Sequence, residues 1–177
     1  MLDILLVTGG AGSGKTSTAR AWAASRQGRA AHLSHDDVLS FTKSGFVSPA
    51  REDSAEAERQ WRTALDVCVA ASRVYGAAQV QCAIDTFLPP SRRPLWRGLE
   101  PLRVGIVALH PPVEVALERN AVRLKEHGWG VPDWQVIANH EAMSAWLEHP
   151  DVLILDNSKF DIREAVSRID AWTKRPF

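Results

Sequence analysis

Gly9-Gly10-Ala11-Gly12-Ser13-Gly14-Lys15-Thr16 directly follows Thr8 and the apolar run Ile4-Leu5-Leu6-Val7. It matches the pattern G-x-x-x-x-G-K-[ST], in which glycines let successive backbone N–H groups turn toward phosphate oxygens. The apolar run predicts a buried strand, and the Ala-rich segment 16–26, which has no Gly or Pro, predicts a helix. A strand, a loop and a helix in this order predict a nucleoside triphosphate site. The alternative is a Gly-rich turn before an ordinary helix.

The parts of this phosphate loop have distinct predicted roles. Lys15 is expected to reach the β- and γ-phosphates, and the Thr16 hydroxyl is expected to bind Mg²⁺. Backbone N–H groups and the positive end of the following helix are expected to hold the phosphate oxygens. The predicted nucleotide contacts in this region are Gly9, Gly10, Ala11, Gly12, Ser13, Gly14, Lys15, Thr16 and Ser17.

Length and composition predict one domain over residues 1–177 and argue against several classes of protein. The 21 basic residues balance the 21 acidic residues, and there is no basic stripe of the kind that binds nucleic acid. Cys68 and Cys82 fit no zinc-site spacing and are interpreted as buried small hydrophobes. The N-terminal apolar run is too short to span a membrane. We therefore expect a cytoplasmic protein that binds neither membranes nor nucleic acid.

Predicted strands and helices alternate along the chain, which is typical of a parallel sheet covered by helices on both faces. The predicted strands are 2–8, 30–33, 79–84, 102–109 and 152–155, and the predicted helices are 15–26, 52–74, 111–125, 134–147 and 161–172. In such a sheet the carboxyl ends of the strands meet in a crevice beside the phosphate loop. The residues that follow each strand are therefore interpreted as parts of one site.

Acidic side chains follow three of these strands. Asp36 and Asp37 come after the second strand, where a carboxylate can orient an acceptor hydroxyl and take its proton, or can cap a helix. We favour Asp36 as the residue that faces the substrate. Asp85 and Asp156 each follow an apolar strand, as a carboxylate that holds Mg²⁺ does. We choose Asp85 as the metal ligand because its strand should neighbour the first one; the alternative is an ordinary turn residue.

Arginines after the fourth strand are candidates to stabilise the transferring phosphoryl group. Arg119 and Arg123 are four residues apart and therefore share a helix face. The helix–loop–helix that carries them is interpreted as a lid over the site, with Gly128 and Gly130 as its hinges. The alternative is a solvated helix face on which these arginines pair with neighbouring glutamates.

Other polar residues carry weaker signals. Arg92, Arg93 and Arg97 follow the third strand, where they could bind an anionic or aromatic acceptor or could simply be surface charge. The six histidines are scattered without the spacing of a metal site, so we assign none of them a catalytic role.

Five segments together resemble the small phosphate-loop kinases, a group that includes gluconate, shikimate and adenylate kinases. The similarity is greatest to chloramphenicol phosphotransferase-like proteins, including related AAA-type ATPases. The matching segments are VTGGAGSGKT (7–16), LSHDDV (33–38), IDTFLPP (84–90), VALERNAVR (115–123) and VLILDNS (152–158). They span nearly the whole chain in the expected order.

This resemblance implies a three-layer α/β fold with five parallel strands in the order 2-3-1-4-5 and a short helical lid. It implies ATP and Mg²⁺ as cofactors, Asp36 as base or orienting group, and lid arginines at 119 and 123. It further implies that the loop at Asn157 and Ser158 passes beside the adenine. The Asp-Gly-Phe-Pro-Arg signature of adenylate kinases is absent, because Asp85 is followed by Thr-Phe-Leu-Pro.

Three functional hypotheses remain open from the sequence. The first is an ATP-dependent kinase that phosphorylates a hydroxyl of a small molecule. The second is a kinase for a nucleotide, a nucleoside or a polynucleotide end, which would need Arg92, Arg93 or Arg97 in the crevice. The third is a nucleotide-binding module with only slow hydrolysis, for which Asp36 would be dispensable.

Overall fold

The first strand, β1 (Ile4–Gly9), forms the centre of the molecule, and all six of its residues are buried. The computed structural model describes residues 2–49, 54–128 and 130–174, without the side chains of residues 96 and 97. Because β1 has a neighbouring strand on each side and is covered on both faces, its sequence is a continuous apolar run rather than an alternating one. The phosphate loop that follows is therefore anchored at the middle of one edge of the sheet.

Strands and helices alternate through the described residues. The strands after β1 are β2 (Ala30–Ser34), β3 (Gln81–Thr86), β4 (Val104–Leu109) and β5 (Leu153–Leu155). The α-helices are α1 (Lys15–Ala24), α2 (His35–Leu39), α3 (Ala55–Ala77), α4 (Val113–His127), α5 (Asp133–Ser144) and α6 (Ile162–Thr173). Two segments are 3₁₀-helical, Pro90–Leu99 and Ala145–Glu148. Among the described helices, none is long and apolar enough to cross a membrane.

The strands form one parallel sheet in the order β2-β3-β1-β4-β5. This confirms the predicted three-layer α/β fold and the strand order that the resemblance implies. In the observed register, Asp85 of β3 lies beside Val7 of β1 and Ser34 of β2. The phosphate loop, the start of α2 and the end of β3 therefore meet at one edge of the sheet, as parallel topology requires.

Helices pack on both faces of the sheet and form two cores. On one face, Trp61 and Cys68 of α3 pack against strand residues. On the other face, Trp22 of α1 and Ile169 of α6 do the same. Cys68 and Cys82 are buried and free, as interpreted from the sequence, and burial raises the pKa of the Cys68 thiol to about 12. A neutral thiol of this kind packs as a small apolar group.

Two local features differ from the prediction. Helix α2 was not predicted, because five residues are too few to show a hydrophobic period; Asp36 and Asp37 lie in its first turn, where acidic residues stabilise a helix. Strand β3 continues to Thr86, so Asp85 is inside the sheet rather than after it. The predicted start of α3 at Glu52 lies outside the described residues.

Candidate active site

The phosphate loop has the backbone conformation that its glycines allow. Gly12 and Gly14 have φ angles of 77° and 86°, in the left-handed region that glycine adopts at little cost. Gly14 is the N-cap of α1, so it offers no side chain to the N–H groups of the first turn, and that turn contains no acidic residue. These N–H groups and the positive end of the helix dipole fit an anionic ligand.

The loop also packs closely against α4. A Cβ atom added to Gly12 would lie 3.0 Å from the Cα atom of Ala116 and closer still to its carbonyl oxygen. A Cβ atom added to Gly10 would lie 3.3 Å from the Cβ atom of Asn139 in α5. The glycines therefore let both lid helices approach the backbone of the loop, in addition to permitting its turn.

Asp85 connects the loop to the sheet. Its side chain is fully buried, and its Oδ2 atom accepts a hydrogen bond from Thr16 Oγ1 at 2.7 Å. Two oxygens about 2.9 Å apart occupy neighbouring positions around an octahedral Mg²⁺ with bond lengths of 2.0–2.1 Å, so this pair fits the metal that the fold family implies. The described residues contain no cluster of three or more His, Cys, Asp or Glu that could hold a metal.

His32 is a site residue that sequence reasoning missed. Its Nε2 atom lies 2.6 Å from Asp85 Oδ1, and its side chain is 14% exposed. His32 of β2 pairs in register with Ala83 of β3. Asp85 is two residues after Ala83 on β3, and side chains alternate between the faces of a sheet, so His32 and Asp85 lie on the same face. The contact depends on the register between two strands far apart in sequence, and no local pattern of the histidines reveals it.

Asp156 has a different environment from Asp85. It is exposed, and its Oδ1 atom accepts a hydrogen bond from the backbone N–H of Ser158 at 2.9 Å. Hydrogen bonds from Ser158 hold the pKa of Asp156 below its usual range. These are the features of an Asp that forms a turn after a strand. They favour the choice of Asp85 over Asp156 as a metal ligand, which stays a prediction.

Asp36 lies in the first turn of α2, directly after β2. The adjacent His35 imidazole, together with the positive charges of Lys15 and Arg123, outweighs desolvation and lowers the pKa of Asp36 to about 2. The Asp36 side chain remains 64% exposed and its Oδ1 atom lies 3.8 Å from His35 Nδ1. An ionised, accessible carboxylate beside Lys15 can accept a hydrogen bond from a substrate hydroxyl. These features are consistent with Asp36 as the residue that faces the substrate, and the choice of Asp36 over Asp37 stays a prediction.

His35 anchors this end of α2. Its ring is 1% exposed, packs on Trp61 with ring centroids 4.9 Å apart, and places Nε2 2.9 Å from the Trp61 carbonyl oxygen. Helix α2 is thereby attached to α3 immediately before Asp36. A short helix that would be marginal alone gains its stability from this tertiary contact.

The two lid arginines have different partners. Arg119 donates from Nη2 to the carbonyl oxygen of Asn157 at 2.9 Å, and Asn157 donates from Nδ2 to the Ser13 carbonyl oxygen at 2.9 Å. Arg119 thus joins α4 to the loop after β5 and to the phosphate loop. Arg123 donates from Nη2 to Asn120 Oδ1 at 3.0 Å, and burial lowers its pKa while Asp36 raises it.

A cavity of about 860 Å³ extends from the phosphate loop between α1, α4 and α6. Of the residues proposed to lie beside the adenine, Asn157 lines it and Ser158 is not among the lining residues. Sequence reasoning did not identify several further lining residues, which lie in α1, α4, α6 and the segment before α6. These are Arg20, Val122, His127, Phe160, Ile162 and Arg163.

Arg92 and Arg93 have partners away from this cavity. Arg92 forms an ion pair with Glu58 at 2.8 Å and stacks on Trp61 with its guanidinium carbon 4.1 Å from the ring centroid. Arg93 forms an ion pair with Asp151. Both arginines therefore hold surface elements together, which favours the surface-charge interpretation. The side chain of Arg97 lies outside the described residues.

Comparison with known proteins agrees with this architecture. Residues 4–150 match the model of the AAA domain family AAA_33, whereas no protein of curated function matches the sequence significantly. A sugar kinase from Janibacter sp. has a TM-score of 0.72 at 20% identity, with 98% of this chain and 95% of that chain covered. Shikimate kinase from Acinetobacter baumannii, in complex with shikimate, has a TM-score of 0.69 at 18% identity, with 98% and 93% covered.

A third solved structure is the tunicamycin resistance protein of Deinococcus radiodurans, with a TM-score of 0.67 at 20% identity, covering 99% of this chain and 98% of that chain. At these identities the similarity establishes a shared fold. The family match covers most of the chain and includes the phosphate loop, Asp36, Asp85 and both lid arginines. The chain therefore belongs to the AAA domain family AAA_33 and shares the fold of the sugar kinase and the shikimate kinase.

Proposed function

We propose that this protein is an ATP- and Mg²⁺-dependent kinase that transfers the γ-phosphate of ATP to a hydroxyl group of a small molecule. The observation that carries the proposal is the position of Asp36, which lies close enough to Lys15 and Arg123 for both to lower its pKa. Donor and acceptor groups thus share one crevice. The names of the sugar kinase and the shikimate kinase that share this fold support a hydroxyl acceptor.

In the proposed reaction, the acceptor hydroxyl oxygen forms a bond to the γ-phosphorus while the bond from that phosphorus to the β–γ bridging oxygen breaks. ADP leaves with the bonding electrons, and the hydroxyl proton passes to the Asp36 carboxylate. Lys15 and the N–H groups of the phosphate loop hold the donor phosphates in line with the acceptor. Arg123 supplies positive charge where negative charge develops on the transferring group.

The low pKa of Asp36 indicates whether it contributes mainly by accepting the proton or by orienting the acceptor hydroxyl. A carboxylate with a pKa of about 2 is a weak base, because the best proton acceptor has a pKa near the working pH. Phosphoryl transfer through a loose transition state requires little removal of the proton before the bond to phosphorus forms. Asp36 therefore acts mainly by orienting the acceptor hydroxyl and takes the proton late.

The residues that would hold Mg²⁺ are Thr16 and Asp85, whose oxygens lie 2.7 Å apart. When bound, the cation would neutralise charge on the β- and γ-phosphates. His32 and the fully buried position of Asp85 keep this carboxylate in one orientation. The protein thus contributes a rigid pair of oxygen ligands at the foot of the phosphate loop.

An uncharged small acceptor fits this site better than an anionic one. The second hypothesis, a kinase for nucleotides, nucleosides or polynucleotide ends, would use Arg92, Arg93 or Arg97 to bind acceptor phosphates. Arg92 and Arg93 are paired with carboxylates, so binding an anion through them would require breaking these ion pairs; the side chain of Arg97 lies outside the described residues. The zero net charge of the chain also opposes binding to long nucleic acid.

The test is to measure ADP release from ATP and Mg²⁺ with a panel of sugars, other alcohols, antibiotics, nucleosides and oligonucleotides. At least one uncharged alcohol should raise turnover well above the rate with water alone. Asp36→Asn should lower the transfer rate by roughly 10²-fold, because the acceptor hydroxyl loses the carboxylate that orients it, whereas Asp37→Asn, the matched control, should retain it. A panel in which no acceptor exceeds the water rate supports the third hypothesis, a nucleotide-binding module.

A further inference from the structure

Asn120 is a buried amide in the middle of α4 that the proposed reaction does not use. Its side chain is 2% exposed. Its Nδ2 atom donates to the carbonyl oxygen of Val131 at 2.8 Å, and its Oδ1 atom accepts from the backbone N–H of Val131 at 3.2 Å. The same Oδ1 atom accepts from Arg123 Nη2 at 3.0 Å. One side chain therefore binds both the connection between α4 and α5 and a lid arginine.

The contact with Val131 closes the lid turn. Asn120 lies in α4 and Val131 lies eleven residues later, in the connection between α4 and α5. Both backbone groups of Val131 are bound by the single amide of Asn120. A Cβ atom added to Gly130 would lie 3.2 Å from Leu124 Cβ and 3.3 Å from Asn120 Oδ1. Gly130 thus allows the turn to lie close against α4.

This geometry does not fit the expectation that Gly128 and Gly130 are hinges. Gly128 has a φ angle of 72° and is the C-cap of α4, which is a common way for a helix to end. Val131, the residue after Gly130, is bound to α4 by the amide of Asn120. A hinge at these residues would have to break two hydrogen bonds of a buried side chain, which costs more than bending at exposed backbone.

The contact with Arg123 links the turn to the chemistry. Arg123 is half-buried, and its positive charge is one of the causes of the low pKa of Asp36. A long arginine side chain loses conformational freedom when it is fixed in one position, and a bond to a rigid acceptor reduces the further loss at the time of reaction. Asn120 Oδ1 is such an acceptor because Val131 already holds it in place.

We propose that Asn120 is a positioning residue: it holds the Arg123 guanidinium at the acceptor side of the phosphate loop and fastens α4 to α5, so that the lid moves as one rigid hairpin. This inference rests on the proposed kinase function, because the position of Arg123 affects activity only if a phosphoryl group is transferred. Its alternative is that Asn120 only satisfies the backbone of Val131 and contributes to stability alone.

A double-mutant cycle distinguishes these two roles. The variants are Arg123→Ala, Asn120→Leu and the double variant, each assayed for kcat with the best acceptor of the panel, or with water if none is found. Arg123→Ala should lower kcat by roughly 10²–10³-fold, as removal of one charge-stabilising donor does. Asn120→Leu should lower kcat by at least tenfold. The double variant should equal Arg123→Ala within about twofold, because positioning has no effect once its target is removed.

Two further variants separate positioning from folding. Asn120→Asp keeps an acceptor for Arg123 but loses the donor to the Val131 carbonyl, so it should retain more kcat than Asn120→Leu even though its melting temperature falls. Gly128→Ala, the matched control, strains the end of α4 where an added Cβ meets no atom within 4 Å. It should lower the melting temperature with kcat unchanged.

The possible outcomes distinguish failure of this inference from failure of the proposed function. If the two single effects on kcat multiply in the double variant, or if Asn120→Asp loses as much kcat as Asn120→Leu, Asn120 has only a structural role and the inference is wrong. If no acceptor raises ADP release above the rate with water, the proposed function fails, and the cycle measured on hydrolysis still decides whether Asn120 positions Arg123. If the unmodified protein binds MgATP but releases no ADP with any acceptor or with water, the proposed function and the inference both fail. Transfer activity with a multiplicative cycle would leave the proposed function intact.

Discussion

The close packing of the phosphate loop on α4 makes a quantitative prediction for Gly12→Ala. Gly12 has a φ angle of 77°, and an added Cβ would overlap the carbonyl group of Ala116 in α4. Gly45 has a φ angle of 69°, but an added Cβ there would meet no atom within 4 Å. The two glycines share the same backbone conformation and differ in whether a helix lies against them. Gly45→Ala is therefore the matched control.

The expected cost of each variant is a sum of separate effects. Placing alanine in the left-handed region destabilises the folded state by about 1–2 kcal/mol. Alanine also lowers the conformational entropy of the unfolded chain relative to glycine, which stabilises the fold by about 0.4–1 kcal/mol. Gly45→Ala should therefore destabilise the fold by about 0–1.5 kcal/mol. Gly12→Ala carries in addition the cost of overpacking, about 1–3 kcal/mol. This steric contribution is the difference between the two variants.

The assay is thermal unfolding followed by circular dichroism, with urea unfolding as a second measure. For a chain of this length, 1 kcal/mol corresponds to about 2–4 °C, so the melting temperature of Gly12→Ala should lie about 2–12 °C below that of Gly45→Ala. Gly12→Ala should also bind ATP more weakly, because displacing α4 moves Arg119 and Arg123. Equal melting temperatures and unchanged ATP affinity would refute the packing of α4 on the loop.

Three further predictions concern the site and its surroundings. His32→Leu removes one partner of Asp85, and the Mg²⁺ concentration needed for nucleotide binding should rise by roughly 10–100-fold, while binding measured in EDTA stays unchanged. Arg119→Ala removes the bond to Asn157, and the dissociation constant for ATP measured by calorimetry should rise about tenfold, a loss of about 1.4 kcal/mol. Burial, and secondarily His140, lower the pKa of His110 despite the opposing effect of Asp156, so the unfolded chain binds a proton more readily than the folded protein. The free energy of unfolding in urea should therefore keep its full value above pH 6.5 and fall as the pH drops to 5.5, and it should fall less in His110→Asn. An equal fall in both proteins would show that protonation of His110 is not the cause.

The sequence predicted those features whose signals are local. Residues 9–16 specify the loop because its chemistry requires particular residue types at consecutive positions. The strand order could be inferred only through the resemblance, since nothing in β1 or β3 alone states which strands are neighbours. Asp85 was identified by its place near the end of an apolar strand, although the strand extends past it.

The features that the sequence did not predict depend on contacts between distant elements. The bond from His32 to Asp85 depends on the register of β2 against β3. The contacts of Asn120 depend on a turn whose path is set by the packing of α5. The pairing of Arg92 with Glu58 crosses from the segment after β3 to α3. Side chains of this kind acquire a role only when the tertiary structure brings their partners together.

The fate of the γ-phosphate tests the central claim most directly. ATP labelled on its γ-phosphate would be incubated with the protein, Mg²⁺ and the acceptor panel, and the products would be separated to find which molecule carries the label. The account predicts a labelled phosphate ester of an uncharged alcohol, formed by the unmodified protein and strongly reduced in Asp36→Asn. Label recovered only as inorganic phosphate with every acceptor, at equal rates in both proteins, would contradict it.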